Sequence, residues 1–201
     1  QLFHGSTQVD GWGTLISPGQ SNQGTLFGQS ISASGDLNGD GFSDLVVGNT
    51  GTLTNPGGYS SVEVFYGNLN GFSPQSDISF QSNLQGTLFG NEVEIITDVN
   101  GDGYDELFIS EPNNGSNAFN SGMVWVFYGS LSGIAQQPNI TLIGQANDLI
   151  GLNVISAGDS NSDGYNDVLI TASGSINSGT VELYLGSSSG LKTQHYTVVD
   201  G

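Results

Sequence analysis

The chain repeats itself three times at a nearly fixed interval, and this constrains its fold more than any other feature. The first copy runs Phe27-Gly28, Asp36-Leu-Asn-Gly-Asp-Gly-Phe-Ser-Asp44, Leu45-Val-Val and Val62-Glu-Val-Phe-Tyr-Gly67. The second runs Phe89-Gly90, Asp98-Val-Asn-Gly-Asp-Gly-Tyr-Asp-Glu106, Leu107-Phe-Ile and Val124-Trp-Val-Phe-Tyr-Gly129. The third runs Ile150-Gly151, Asp159-Ser-Asn-Ser-Asp-Gly-Tyr-Asn-Asp167, Val168-Leu-Ile and Val181-Glu-Leu-Tyr-Leu-Gly186. Asp36, Asp98 and Asp159 stand 62 and 61 residues apart. A period of this size marks units that bury their apolar faces only by stacking on one another.

Each unit reads as four short strands separated by Gly, Asn and Ser, with no helical period. The inner strand precedes the acidic stretch (29–35, 91–97, 152–158) and a second follows it (44–48, 106–110, 167–171). A third is aromatic and β-branched (61–66, 123–128, 180–185), and a weaker fourth lies at 77–81 and 139–143. The segments 14–16 and 197–199 resemble that fourth strand. The expected fold is therefore all-β, with about three antiparallel four-stranded blades of a β-propeller; linear stacking is the competing arrangement. The expected units are 14–77, 78–139 and 140–201, the last with a closing or linking strand, and 1–13 fits no part of the repeat.

Charge narrows the partners. One basic residue, Lys192, stands against 19 acidic ones, for a formal charge of −18. Such a surface repels phosphate backbones and anionic membranes, so no nucleic acid and no membrane insertion are expected; no apolar run approaches the ~20 residues a spanning helix needs. Charged residues make up only 10% of the chain and apolar runs recur regularly, which argues against disorder. There is no cysteine, hence no disulfide, thiolate metal site or thiol nucleophile. The chain begins at Gln1, as a processed protein or a piece of a longer one would. Asn114 and Asn139 head formal glycosylation sequons, and the composition leans towards an extracellular, secreted or cell-surface setting.

The acidic stretch D-x-N-x-D-G-x-x-(D/E) carries the chemistry. Side-chain oxygens at positions one, three and five converge when backbone curls around a hard cation. Glycine at position six permits the turn, and position seven lends its carbonyl. The expected ligands are Asp36, Asn38, Asp40, Phe42 and Asp44; Asp98, Asn100, Asp102, Tyr104 and Glu106; and Asp159, Asn161, Asp163, Tyr165 and Asp167. Oxygen-only donors in this number suit Ca2+, giving three expected sites. An EF-hand opens similarly but requires Glu at position twelve and flanking helices; Val47, Ile109 and Ile170 stand there, inside β runs. The competing reading is a solvated Asx-Gly turn, which three copies in register disfavour.

Together these residues resemble the FG-GAP repeat, the blade of the integrin α-subunit propeller, over about 27–191. The resemblance implies a calcium ion in the hairpin between the first two strands of each blade, held by the residues named above. It departs where the family's Gly-Ala-Pro is replaced by Gly48-Asn-Thr, Ser110-Glu-Pro and Thr171-Ala-Ser, and where Ile150-Gly151 replaces Phe-Gly. No residues matching integrin ligand recognition are identified.

Catalysis has little support. His4 and His195 lie near opposite ends, outside the repeats. Glu92 and Glu94 share a face of the inner strand, roughly 6.5–7 Å apart by strand geometry, as an inverting glycosidase pair would be; lining a wet central face is the simpler reading. Tyr59, Phe65, Tyr66, Trp125, Phe127, Tyr128 and Tyr184 could stack sugars in a lectin, but most recur at equivalent third-strand positions, which favours core packing, while Trp12 and Tyr196 are freer. Because closed propellers usually take 4–8 blades, other copies or other chains are expected to complete or extend the array. The expected function is a non-enzymatic, calcium-stabilised adhesion or recognition module with a protein or glycan ligand. A structural subunit of a secreted filament or surface layer is the alternative, built through unpaired strand edges.

Overall fold

The computed structural model describes residues 26–50, 60–174 and 179–200. The segment 1–13 with His4 and Trp12, the strand expected at 14–16, and Tyr59 lie outside the described residues. Among those described there are twelve strands and no helix. They are Leu26–Gly35 (β1), Asp44–Thr50 (β2), Ser61–Phe65 (β3), Ile78–Gln81 (β4), Val93–Ile96 (β5) and Glu106–Glu111 (β6), followed by Met123–Tyr128 (β7), Ile140–Ile143 (β8), Ile150–Gly158 (β9), Asp167–Ala172 (β10), Thr180–Tyr184 (β11) and His195–Asp200 (β12).

The strands form three four-stranded antiparallel sheets, each in sequence order: β1 to β4, β5 to β8 and β9 to β12. Each outer strand thus pairs with the third strand that precedes it. This groups the chain one strand out of phase with the units 14–77, 78–139 and 140–201. β5 is shorter than expected because the amide of Glu92 bonds to the Ser110 hydroxyl instead of a carbonyl, at 2.9 Å. β1 is longer and carries two bulges.

Successive sheets pack face to face, as blades do. Val46, Val62, Val64 and Phe80 of the first sheet meet Val93, Ile95, Leu107, Ile109 and Phe127 of the second. Phe108, Val124, Val126 and Leu142 then meet Val154, Val168, Ile170 and Tyr184 of the third. Each such fully buried side chain contributes about 1.5–3 kcal/mol. Alternate residues of a central strand face opposite neighbours, so β6 is buried along its whole length. β10 is not. Leu169, with Val181 and Leu183 of β11, remains partly exposed, because no fourth sheet covers that face among the described residues.

Polar anchors recur at the two sheet junctions. The Ser30 hydroxyl donates to the Gly90 carbonyl at 2.8 Å, and the amide of Ile95 donates to the Ser32 hydroxyl at 3.0 Å. The amide of Ile134 donates to Tyr66 Oη at 3.0 Å, and that of Leu191 to Tyr128 Oη at 2.9 Å. The amides of Ser130 and Ser187 donate to the carbonyls of Leu37 and Val99 at 3.1 and 3.0 Å. The Tyr104 ring lies on Gly39 and the Tyr165 ring on Gly101, where a Cβ would collide with them. In the third unit the corresponding residues are Ser160, Ser162 and Leu185 in place of Leu37 or Val99, Gly39 or Gly101, and Tyr66 or Tyr128.

Opposite effects are expected at one repeat position. Gly101 has φ 78° beneath a ring, so Gly101→Ala should destabilise by about 1–3 kcal/mol. Ser162 holds φ 61° at an exposed site, so Ser162→Gly should stabilise by about 0.5–1 kcal/mol, relieving left-handed strain. Urea midpoints of the two variants check both signs.

Candidate metal centre

The acidic stretches are the hairpins between β1 and β2, β5 and β6, and β9 and β10. In the first, Asp36 Oδ1 accepts the amides of Gly39 and Asp40 at 2.7 and 3.2 Å, and Oδ2 that of Gly41 at 2.7 Å. Asn38 Oδ1 accepts the Asp40 amide at 3.0 Å, and Asp40 Oδ1 that of Phe42 at 2.9 Å. The second hairpin repeats this: Asp98 accepts from Gly101, Asp102 and Gly103, Asn100 from Asp102, and Asp102 from Tyr104. In the third, Asp159 accepts from Asp163 and Gly164, Asn161 from Asp163, and Asp163 from Tyr165. Side chains at positions one, three and five thus fold over their own backbone, which short Asx side chains do readily.

Position nine is different: Asp44, Glu106 and Asp167 are fully buried at the start of their strands. Asp44 accepts the amides of Leu37 at 2.7 Å and Gly67 at 2.9 Å. Asp167 accepts those of Ser160 at 3.0 Å and Gly186 at 2.9 Å. Glu106 is one methylene longer. Its Oε2 accepts the amide of Val99 at 2.6 Å, but its Oε1 is buried without any hydrogen-bond partner. Burial pushes the Glu106 carboxyl up to about 8, opposed by the Val99 amide and reinforced by Asp102, Asp98 and Asp105. Burial likewise pushes Asp44 up to about 6, opposed by the amides of Gly67 and Leu37 and reinforced by Asp36 and Asp40.

Among the described residues no three Asp, Glu or His side chains are gathered as a metal cluster, since the first aspartate of each hairpin directs its oxygens at amides. The donor chemistry nonetheless fits a hard cation. Every expected ligand atom is oxygen, and a buried carboxylate oxygen lacking a donor is the kind of atom a cation satisfies. That observation belongs to the second hairpin; in the first and third, both position-nine oxygens have donors.

The other candidate residues are placed as follows. Glu94 bonds to Ser32 and Glu92 lies beside it; burial raises both carboxyls, with Glu94 adding to the rise at Glu92. His195 is on β12, 3.6 Å from Glu182. Phe65, Phe127 and Tyr184 are buried core, while Tyr196 is exposed. Asn114 is buried and its amide donates to Glu111 at 2.7 Å, so its sequon is closed in the folded chain. Asn139 is exposed, its Oδ1 accepting the Tyr128 amide at 2.9 Å.

Position eight was passed over by the motif, where it is a free position. Asp105 accepts the Asp36 amide at 2.7 Å, and Asn166 donates to the Thr97 carbonyl at 2.6 Å, so both tie a hairpin to the one before it. The polar residues Asp105 and Asn166, aligned 61 apart, were the available signal.

Three stacked four-stranded antiparallel sheets, each with an acidic hairpin between its first two strands, define a blade-repeat protein. The chain carries FG-GAP repeats: the family model for the FG-GAP repeat matches residues 27–62 and 89–127. Phosphatidylinositol-glycan-specific phospholipase D of Rattus norvegicus is 34% identical over 157 residues, covering 71% of this chain and 18% of that protein. Integrin alpha-8 of Gallus gallus is 30% identical over 180 residues, covering 84% and 16%. Integrin alpha-PS5 of Drosophila melanogaster is 30% identical over 160 residues, covering 75% and 15%. The chain therefore spans less than a fifth of the length of these relatives. No helix among the described residues is long and apolar enough to cross a membrane.

Proposed function

We propose that the chain is a non-enzymatic, calcium-stabilised recognition module that acts in an extracellular setting. The observation that carries this reading is the threefold all-oxygen hairpin together with the orphaned Glu106 Oε1. Calcium would be held by Asp36, Asn38, Asp40, Phe42 and Asp44, by Asp98, Asn100, Asp102, Tyr104 and Glu106, and by Asp159, Asn161, Asp163, Tyr165 and Asp167. Its role is structural: it neutralises carboxylates crowded at the junction of each sheet's first two strands and fixes the loops that display the surface. The likeness to integrin alpha subunits supports recognition and an extracellular site, and the acidic, cysteine-free composition is compatible with both.

A second reading, a subunit of a filament or surface layer, is favoured by the incompletely covered apolar face of the third sheet at Leu169, Val181 and Leu183. Electron microscopy and native mass measurement in calcium separate the two. Dispersed particles of fixed mass support recognition, and ordered polymers growing with concentration overturn it in favour of assembly.

A further inference from the structure

The two junctions between sheets each open outward into a cleft, and the clefts differ in chemistry. That between the second and third sheets, about 310 Å3, is lined by Asp148, Glu182, Tyr184 and His195. That between the first and second, about 510 Å3, is lined mainly by aromatic rings and side-chain amides, with the Glu111 carboxylate as its acidic group. The difference turns on one repeat position in the third strand, which holds Glu63, Trp125 and Glu182 in the successive sheets. Glu63 accepts the hydroxyls of Ser76 and Ser79 at 2.7 and 2.9 Å, and Glu182 that of Tyr184 at 2.7 Å. In the second sheet an indole replaces the carboxylate and remains half-buried over the floor of the cleft.

That indole is held in place from below. Glu111, 2% exposed, accepts Trp125 Nε1–H at 3.1 Å, the Asn114 amide at 2.7 Å and the Ser82 hydroxyl at 2.9 Å. Phe89 meets the ring edge-on, with centroids 6.3 Å apart. The platform is therefore pre-oriented, which lowers the ordering cost of binding. Gln81, Asn83, Gln136 and Gln137 stand exposed around it, and among the described residues none of their amides has a hydrogen-bond partner.

We infer that this cleft is a binding site for a neutral saccharide of one or two rings. A sugar ring offers an apolar C–H face to an indole and an edge of hydroxyls that both donate and accept, as side-chain amides do. The volume falls within the range of small-ligand sites. Charge selects among sugars: with one basic residue in a chain of formal charge −18, sulfated, phosphorylated and acidic sugars are repelled. A cation has no vacancy here, since three donors already surround the Glu111 carboxylate.

The inference rests on the recognition reading but not on its calcium component, and the test keeps the two apart. The calcium-loaded chain is applied to an array of immobilised neutral mono- and disaccharides beside sulfated and sialylated controls. At least one neutral sugar should be retained. Retention should fall at least tenfold with Trp125→Ala, and also with the paired exposed changes Asn83→Ala and Gln136→Ala, whose melting temperature should match that of the parent. Failure to retain any neutral sugar overturns the site, as does retention that survives the paired variant or prefers the acidic controls. Loss of thermal stability in chelator, with no sugar bound, would leave the calcium reading standing and refute this one alone.

Discussion

Removing calcium is expected to lower the melting temperature by about 5–11 °C for each site emptied. A ligand that binds only the folded chain stabilises it by about 2.7 kcal/mol at a hundredfold excess over its dissociation constant, and 1 kcal/mol moves a domain of this size by roughly 2–4 °C. Selective binding to the folded chain follows from the hairpins. The proposed ligand oxygens of each come from nine consecutive residues whose ends are fixed by strand pairing, an arrangement that unfolding erases. Three ions would move the formal charge from −18 to −12. Asp40→Ala, Asp102→Ala and Asp163→Ala should each reproduce part of the shift, with Asp102→Ala giving the clearest loss because its hairpin contains the orphaned Glu106 oxygen. Calorimetry with and without chelator measures the shift, and elemental analysis of the purified chain counts the ions. A melting curve indifferent to chelator, with no near-stoichiometric calcium, reduces the hairpins to turns.

The pH dependence of stability should change sign with calcium. In the metal-free chain, burial holds Glu106 near 8 and Asp44 near 6, against 4.5 and 3.8 for the free side chains. The folded state then binds protons more tightly than the unfolded one, so these groups contribute stability fully below about pH 4. That contribution is lost as pH rises through 6 and then 8. With calcium bound as proposed, the ionised carboxylates would be the ligands, and stability should climb over the same interval as protons cease to compete. Melting temperature against pH should therefore slope down from pH 5 to 8 in chelator and up in calcium. Glu106→Gln should flatten the upper part of the chelator curve, having nothing to titrate. Parallel slopes under the two conditions would sink the argument.

The repeat made much of this architecture legible. Asp-Gly turns and β-branched runs at a 62-residue interval placed the strands within a few residues, because turn chemistry and alternation act locally. What acts between sheets was not legible in the same way. Trp125 stands among the recurring core aromatics of the third strand, although its own position holds Glu63 and Glu182 in the other units. Its exposure follows from the shape of a junction and from Glu111, whose carboxylate reaches the indole from the neighbouring strand. The buried amide of Asn114, in what reads as an open sequon, is held by the same carboxylate. The phase of the repeat also depended on which strand each outer strand pairs with, a choice that strand composition leaves open.

The substitutions at Ser160, Ser162 and Leu185 give the stack a direction. The first and second units present an apolar residue, a bare glycine and a tyrosine hydroxyl to the unit that follows, whereas the third has Ser160, whose hydroxyl donates to Asp167 of its own hairpin, together with Ser162 and the aliphatic Leu185. A further copy of the second unit placed against the third would thus make a mismatched joint, with an incoming ring driven against the Ser162 Cβ and no phenol to receive an amide. A copy of the second unit inserted between the second and third would find matched surfaces on both sides. A longer stack is therefore expected to form when the added copy joins the second and third units, not when it is placed against the outer face of the third.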